Sequence, residues 1–215
     1  NEPLLTPLET TGEKIIAIGY QSLTTNTTGS SQTAIGYEAL GANTTGTHNV
    51  AIGYQALQDN TEGTHSTAVG YDALREQTTA IYNTAVGYQA MRDTTTGHSN
   101  ASLGYLALSN NTTGTGSTAI GKGALNAVTT VGHLTAVGRD SLGNNSSGTG
   151  NTALGYQALG NLTTGNTNTA VGYTALYENT TGNYNTAIGR ASSYSMTTGS
   201  SNTAVGVASL NSNTT

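Results

Sequence analysis

The chain has 215 residues, room for one large domain or two small ones, yet only 8% of them are charged and the formal net charge is -5. A surface so sparsely and mildly acidic excludes nucleic acid and anionic membranes as partners, and no apolar run reaches the length needed for membrane insertion. Cysteine is absent, which excludes disulfides and thiolate metal sites, and Phe and Trp are absent beside 12 Tyr, which predicts an interior too narrow for large aromatics.

Residues 1–11 come first, with Pro3 and Pro7, the two prolines of the chain, among Leu4, Leu5 and Leu8. They are expected to form an N-terminal cap over the first coil or an arm that docks on a neighbouring molecule. From residue 12 to 215 the chain repeats one phrase, Asn-Thr-Ala-Ile/Val-Gly-Tyr-Gln-Ala-Leu-x-x-Asn-Thr-Thr-Gly-x-x. Its marker glycine recurs at Gly19, Gly36, Gly53, Gly70, Gly87, Gly104, Gly121, Gly138, Gly155, Gly172, Gly189 and Gly206, always 17 residues on. An unbroken period of this kind denotes a stacked array.

Seventeen residues are too few for a helical hairpin. Thr, Ile/Val and Tyr cluster around the marker and favour strand. Asn-Thr-Thr-Gly carries turn chemistry, its Gly able to take positive φ. The phrase therefore predicts an all-β parallel β-solenoid, a β-roll of twelve 17-residue coils. Each coil is read as a short strand, a corner, a second short strand near Ala-Leu, and a loop. At a strand spacing of about 4.8 Å the rod would be roughly 55–60 Å long, with identical residues stacked into ladders.

Alternate residues of a strand point to opposite sides. Thr152, Leu154 and Tyr156 share one side; Ala153 and Gly155 share the other. The small side suits a narrow lumen. The aliphatic and tyrosine side would then face out, where so long a stripe calls for cover by another chain. The reverse assignment, with the aliphatic row inside, stays open.

The Thr-Ala-Ile-Gly of Thr33 to Gly36, with its counterparts through Thr203 to Gly206, resembles the Ser-Val-Ala-Ile-Gly coil motif of trimeric autotransporter adhesin heads. Related repeats occur in predicted phage tail fibres and bacterial surface proteins. The resemblance covers about residues 12–215 and implies a left-handed, trimeric roll that binds host matrix or surfaces. No binding residue transfers with it, because the shared positions build the coil.

Candidate chemistry is thin. His48 and His65 share a phase in adjacent coils, with Asp59 and Glu62 near in sequence; His133 shares that phase and His98 lies one position earlier. Solvated loop residues are the better reading than a metal site. Glu38, Asp72 and Asp140 share another phase, but coils separate them and a smooth rod offers no cleft for paired carboxylates, so no catalytic residue, cofactor or metal is assigned. Thr rows invite an ice- or polysaccharide-binding alternative. Asn-x-Ser/Thr sequons stand in the loop at Asn26, Asn43, Asn111, Asn145, Asn179 and Asn213, with others at Asn100, Asn110, Asn144 and Asn161. In a secreted chain these would be exposed glycan acceptors. Apolar corners at Ala80 to Tyr82, Val128 to Leu134 and Tyr194 to Met196 are either drift or partner contacts.

These readings converge on a non-enzymatic extracellular, cell-surface or virion fibre or adhesin segment. Its expected partners are copies of itself, side by side as a homotrimer and head to tail in an open filament, with glycans or a host surface beyond.

Overall fold

The structure, a computed structural model, describes residues 11–214. The cap or docking arm expected over residues 1–11 lies, but for Thr11, outside them. The described residues form a parallel β-solenoid. Twelve strands run from β1 (Ile15–Ile18) and β2 (Gln32–Ile35) through β3 (Val50–Ile52) to β12 (Thr203–Val205), the last ten of three residues each. They make one sheet in chain order, every pair parallel and in the repeat's own register: Ala34 opposite Ala51, Ala51 opposite Ala68.

The lumen is built from the small side of the strand and from the turn after it. Ala51, Ala56 and Leu57, with their counterparts in the inner coils, are fully buried. The strand's other side carries Ile52, Leu103 and Ile120 outward, which settles the orientation in favour of the narrow alanine lumen.

The expected second strand near Ala-Leu does not form. The segment after each marker glycine is a run of turns in which alternate residues, such as Gln55 (φ 51°) and Leu57 (φ 52°), take left-handed backbone. The reason is closure: 17 residues enclosing so small a lumen must bend sharply, and alternating hand bends the chain while keeping its N–H and C=O along the axis. Leu57 N donates to Ala73 O (3.0 Å) and Gln55 N to Tyr37 O (2.8 Å), so this wall is hydrogen-bonded coil to coil without being a strand. A leucine in that conformation costs about 1–2 kcal/mol. Complete burial of its side chain returns about 1.5–3 kcal/mol, which offsets the cost at the leucine itself.

The loop glycine also serves a different purpose from the one expected. Gly46 has ordinary φ, but a Cβ on it would lie 2.4 Å from Gly63 O and 2.5 Å from Asn43 Oδ1. It is glycine because the next coil and the asparagine three residues back close over it. The residues that replace it, Ala80 and Val131, follow Gln77 and Val128 in place of that asparagine.

Candidate functional site: the sheet face and its ladders

Three columns run up the outer face. Residues such as Thr67 and Thr118, half-buried, form one; Ile, Val or Leu form the second; Tyr forms the third. The aliphatic column is substantially open, with Leu103 51% and Ile188 42% exposed. Beside it Tyr20, Tyr37, Tyr54, Tyr71, Tyr88 and Tyr105 stack in one ladder, centroids 4.9–5.3 Å apart and planes within 17°. Tyr156 and Tyr173 form a second, shorter stack at 5.0 Å. Between the two stand Lys122, 5.6 Å from the Tyr105 ring, and Arg139, 5.8 Å from the Tyr156 ring, so each cation covers the exposed end of a stack. The ring faces are thus occupied by neighbours, and the ladder shows its edges outward. The Tyr37 hydroxyl is held above its ordinary pKa, first by its hydrogen bond to Glu38 and then by desolvation. Tyr71 is raised chiefly by the charge of Asp72.

The first of the two corner threonines spends its hydroxyl within the rod, while the second, as at Thr45 and Thr96, is exposed. Thr44 Oγ1 donates to Thr61 O (3.0 Å), Thr61 to Thr78 O (3.2 Å) and Thr163 to Thr180 O (3.0 Å). The strand supplies a single outward threonine column, with aliphatic residues next to it rather than a second threonine row.

The sequon asparagines require a correction. Asn26, Asn43, Asn111, Asn145 and Asn179 are not exposed at corners; all five are buried. Their amides carry a ladder inside the coil: Asn43 Nδ2 donates to Asn26 Oδ1 (2.8 Å) and Asn60 Nδ2 to Asn43 Oδ1 (2.9 Å). Others close the corner on itself, as when Gly148 N donates to Asn145 Oδ1 (3.1 Å) and Gly182 N to Asn179 Oδ1 (2.9 Å). A folded coil leaves no room for a glycan there. Asn100 is buried likewise, whereas Asn110 and Asn144 are exposed, and Asn161 and Asn213 half-buried. A second internal column links the coils: Asn100 N donates to Asn83 Oδ1 (3.0 Å) while Asn83 Nδ2 donates to Gly97 O (2.7 Å). Sequence reasoning missed these polar ladders because asparagine in a turn motif reads as surface. The signal lay in its phase, which matches that of buried Leu162 and Met196.

The apolar corners mostly fill the lumen. Val128 and Leu134 are buried in one coil, replacing two polar side chains together, and Ala80 and Met196 are also inside. Tyr82 is exposed and packs on His65 at 5.2 Å. His48 and His65 stack at 4.7 Å and 5°, which sets their nitrogens side by side rather than converging. Among the described residues no three His, Asp or Glu side chains gather as a metal site would require.

The acidic column departs from the smooth rod expected. Glu38 and Asp140 each border a shallow cleft in the turn-rich wall, of about 250 and 260 Å³. Asp72, in the same phase, is buried and accepts from Gln89 Nε2 at 3.1 Å.

Comparison with protein-family models, with curated proteins and with solved structures gives no match to this chain.

Proposed function

We propose that the chain is a non-enzymatic structural rod, a segment of an extracellular, cell-surface or virion fibre in which copies lie side by side on their sheet faces. The observation that carries this reading is the outward aliphatic column, unbroken over twelve strands and flanked by tyrosine. Water is a poor partner for a flat apolar strip of that length. The whole sheet face, threonine and tyrosine columns included, is roughly 55 Å long and about 14 Å wide, an area of about 750 Å², close to the ~800 Å² per partner of a stable interface. Three copies around one axis is the arrangement implied by the resemblance to adhesin heads. The outer edge of β12, without a strand partner among the described residues, is where a further coil would pair in a longer filament.

The ice- or polysaccharide-binding alternative has less support. The first hydroxyl of the corner is committed to a carbonyl, and the ring faces of the sheet-face tyrosine ladder are covered by their neighbours.

Sedimentation equilibrium tests the reading. The 21.7 kDa chain is expected as a dimer or trimer, and Leu103→Glu/Ile120→Glu as a folded monomer. A wild-type chain that stays monomeric up to its solubility limit, or a double variant that associates equally well, refutes side-by-side assembly.

A further inference from the structure

The clefts beside Glu38 and Asp140 share one construction, six repeats apart. Three residues after each acid comes a glycine, Gly41 or Gly143, where other coils place Gln58, Arg75 or Arg92. In the upper cleft a second glycine follows one coil on, Gly160. The missing side chains open the wall. Asp72 is the internal control: Arg75 occupies the position after it, donates to Gln58 Oε1 (3.2 Å), and lines neither cleft. A carboxylate in this column borders a cleft where the glycine follows and is covered where arginine follows.

The upper cleft has the more complete chemistry. Asp140 Oδ2 accepts from Arg139 Nε (3.1 Å), while Oδ1 makes no hydrogen bond and reaches over Gly123. Asn144 Nδ2 donates to Asn161 Oδ1 (3.3 Å), leaving each amide with further donors and acceptors, and Gln157 adds a third. Tyr177 closes one end. One face of its ring stacks on Tyr194 at 5.4 Å; on the other side lies Gly160, where a Cβ would come within 3.0 Å of the ring. The ring therefore lies close over the Gly160 backbone, with no side chain of that coil between them.

A hard cation would want six or more oxygen ligands and finds one carboxylate already held by a guanidinium. An anion would meet that carboxylate. A neutral ring rich in hydroxyls suits all of it: a carboxylate accepting from adjacent hydroxyls, amides that donate and accept, and an aromatic side chain lining one end. At about 260 Å³ the space is below the ~300 Å³ where drug-sized sites begin, enough for a single ring.

We propose that the Asp140–Tyr177 cleft binds a neutral hexose ring, free or within a glycan, and that the Glu38 cleft is a second, weaker site of the same kind. The Glu38 site is weaker because Glu38 Oε2 already accepts from Gln55 Nε2 (2.7 Å) and Gln58 Nε2 (2.6 Å), and because no aromatic ring lines it.

Saturation-transfer NMR of the full chain tests this with millimolar methyl glycosides of glucose, galactose, mannose and N-acetylglucosamine, alongside retention on soluble polysaccharides of the same sugars. Transfer to at least one glycoside, or retention on its polysaccharide, is expected. Gly143→Arg, which copies the native Arg75, should weaken binding at least tenfold with circular dichroism and melting unchanged. Asp140→Asn, which keeps the shape, should do the same if the arginine variant folds poorly. Gly41→Arg should leave the tighter site untouched. No binding to any sugar in either format overturns the proposal, as does binding that survives both Gly143→Arg and Asp140→Asn or that disappears on chelating divalent cations.

Discussion

Gly87→Ala puts the stacking of one coil on the next to a direct test. Gly87 sits mid-rod with φ +136°, a region essentially reserved for glycine, and an alanine held there costs about 1–3 kcal/mol. Its Cβ would also lie 2.5 Å from Gly104 O and 2.8 Å from Gly104 C, backbone atoms that cannot swing aside. Relieving that overlap means lifting one coil off another, comparable to overpacking a core at about 1–3 kcal/mol. The two costs are separable within this chain. Gly46→Ala has the overlap at ordinary φ, and Gly206→Ala, at φ +123° with nothing within 4 Å, has the strain alone. The expected loss for Gly87→Ala is therefore about 2–6 kcal/mol, against about 1–3 kcal/mol for Gly46→Ala. The loss for Gly206→Ala should be confined to the last coil. Because each coil touches only its neighbours, the break should also divide the rod into two units that unfold separately. Guanidinium unfolding followed by circular dichroism, with hydrogen exchange to locate the break, reads both effects. A Gly87→Ala chain within about 0.5 kcal/mol of wild type, or no worse than Gly46→Ala, refutes the close approach of the coils.

Leu74→Ala should cost about 2–5 kcal/mol in denaturant melts, since the fully buried Leu74 leaves a cavity between Leu57 and Met91 of the adjoining coils. Asn60→Ala should cost about 1–3 kcal/mol by leaving Asn43 Oδ1 without its donor and removing the Asn60 Oδ1 that accepts from Gln77 Nε2. Asn60→Leu should cost less, because Leu162 already fills this position and no cavity forms; a leucine variant worse than the alanine one would contradict the lumen as described. Tyr37 and Tyr71 have raised pKa values in the fold, so the unfolded chain loses those protons first as pH rises. Their contribution to stability is complete below the ordinary tyrosine value of about 10 and is lost as pH climbs through the folded values. Phenolate absorbance during a pH titration should show late-ionising tyrosines, and Glu38→Gln should return one of them, Tyr37, toward the ordinary range.

The fold was legible because every coil repeats the same constraint. The phase of Gly87 and its counterparts announced the period, and the alternation Thr152, Ala153, Leu154 announced a two-sided strand with a small inner face. What failed was local chemistry read without the lumen. Leu57 in left-handed backbone contradicts its propensity, and only burial among other leucines supplies the offsetting energy. Asn43 inside the coil contradicts its usual exposure, and beyond its own Gly46 O it is the Asn26 and Asn60 amides one coil away that satisfy it. Both depend on a contact 17 residues distant, which no window of turn residues contains. Replacements such as Val128 with Leu134, or Gln77 with Ser66 (Gln77 Nε2 to Ser66 Oγ, 3.1 Å), show the same dependence. Each swap is made in company, preserving either the volume or the hydrogen bonding of the corner.

That dependence bears on where function can be written in such a chain. A residue present in every coil is bound to its copies above and below, so it specifies the rod and little else. Selectivity has to come from positions where the wall tolerates change, and the column that carries Gln58, Arg75, Arg92, Gly143, Gly160 and Tyr177 is one of these. Its side chains lie outside the lumen, so exchanging one for another leaves the internal ladders intact. Opening the wall at Gly143 and Gly160 while placing Tyr177 above them therefore changes the surface locally at little cost to the coil. The aliphatic face, uniform along its length, suits a uniform partner such as another copy of the rod. The glycine gaps occur at two places only along this column's acidic neighbours, and a ligand small enough to sit within two or three coils suits them.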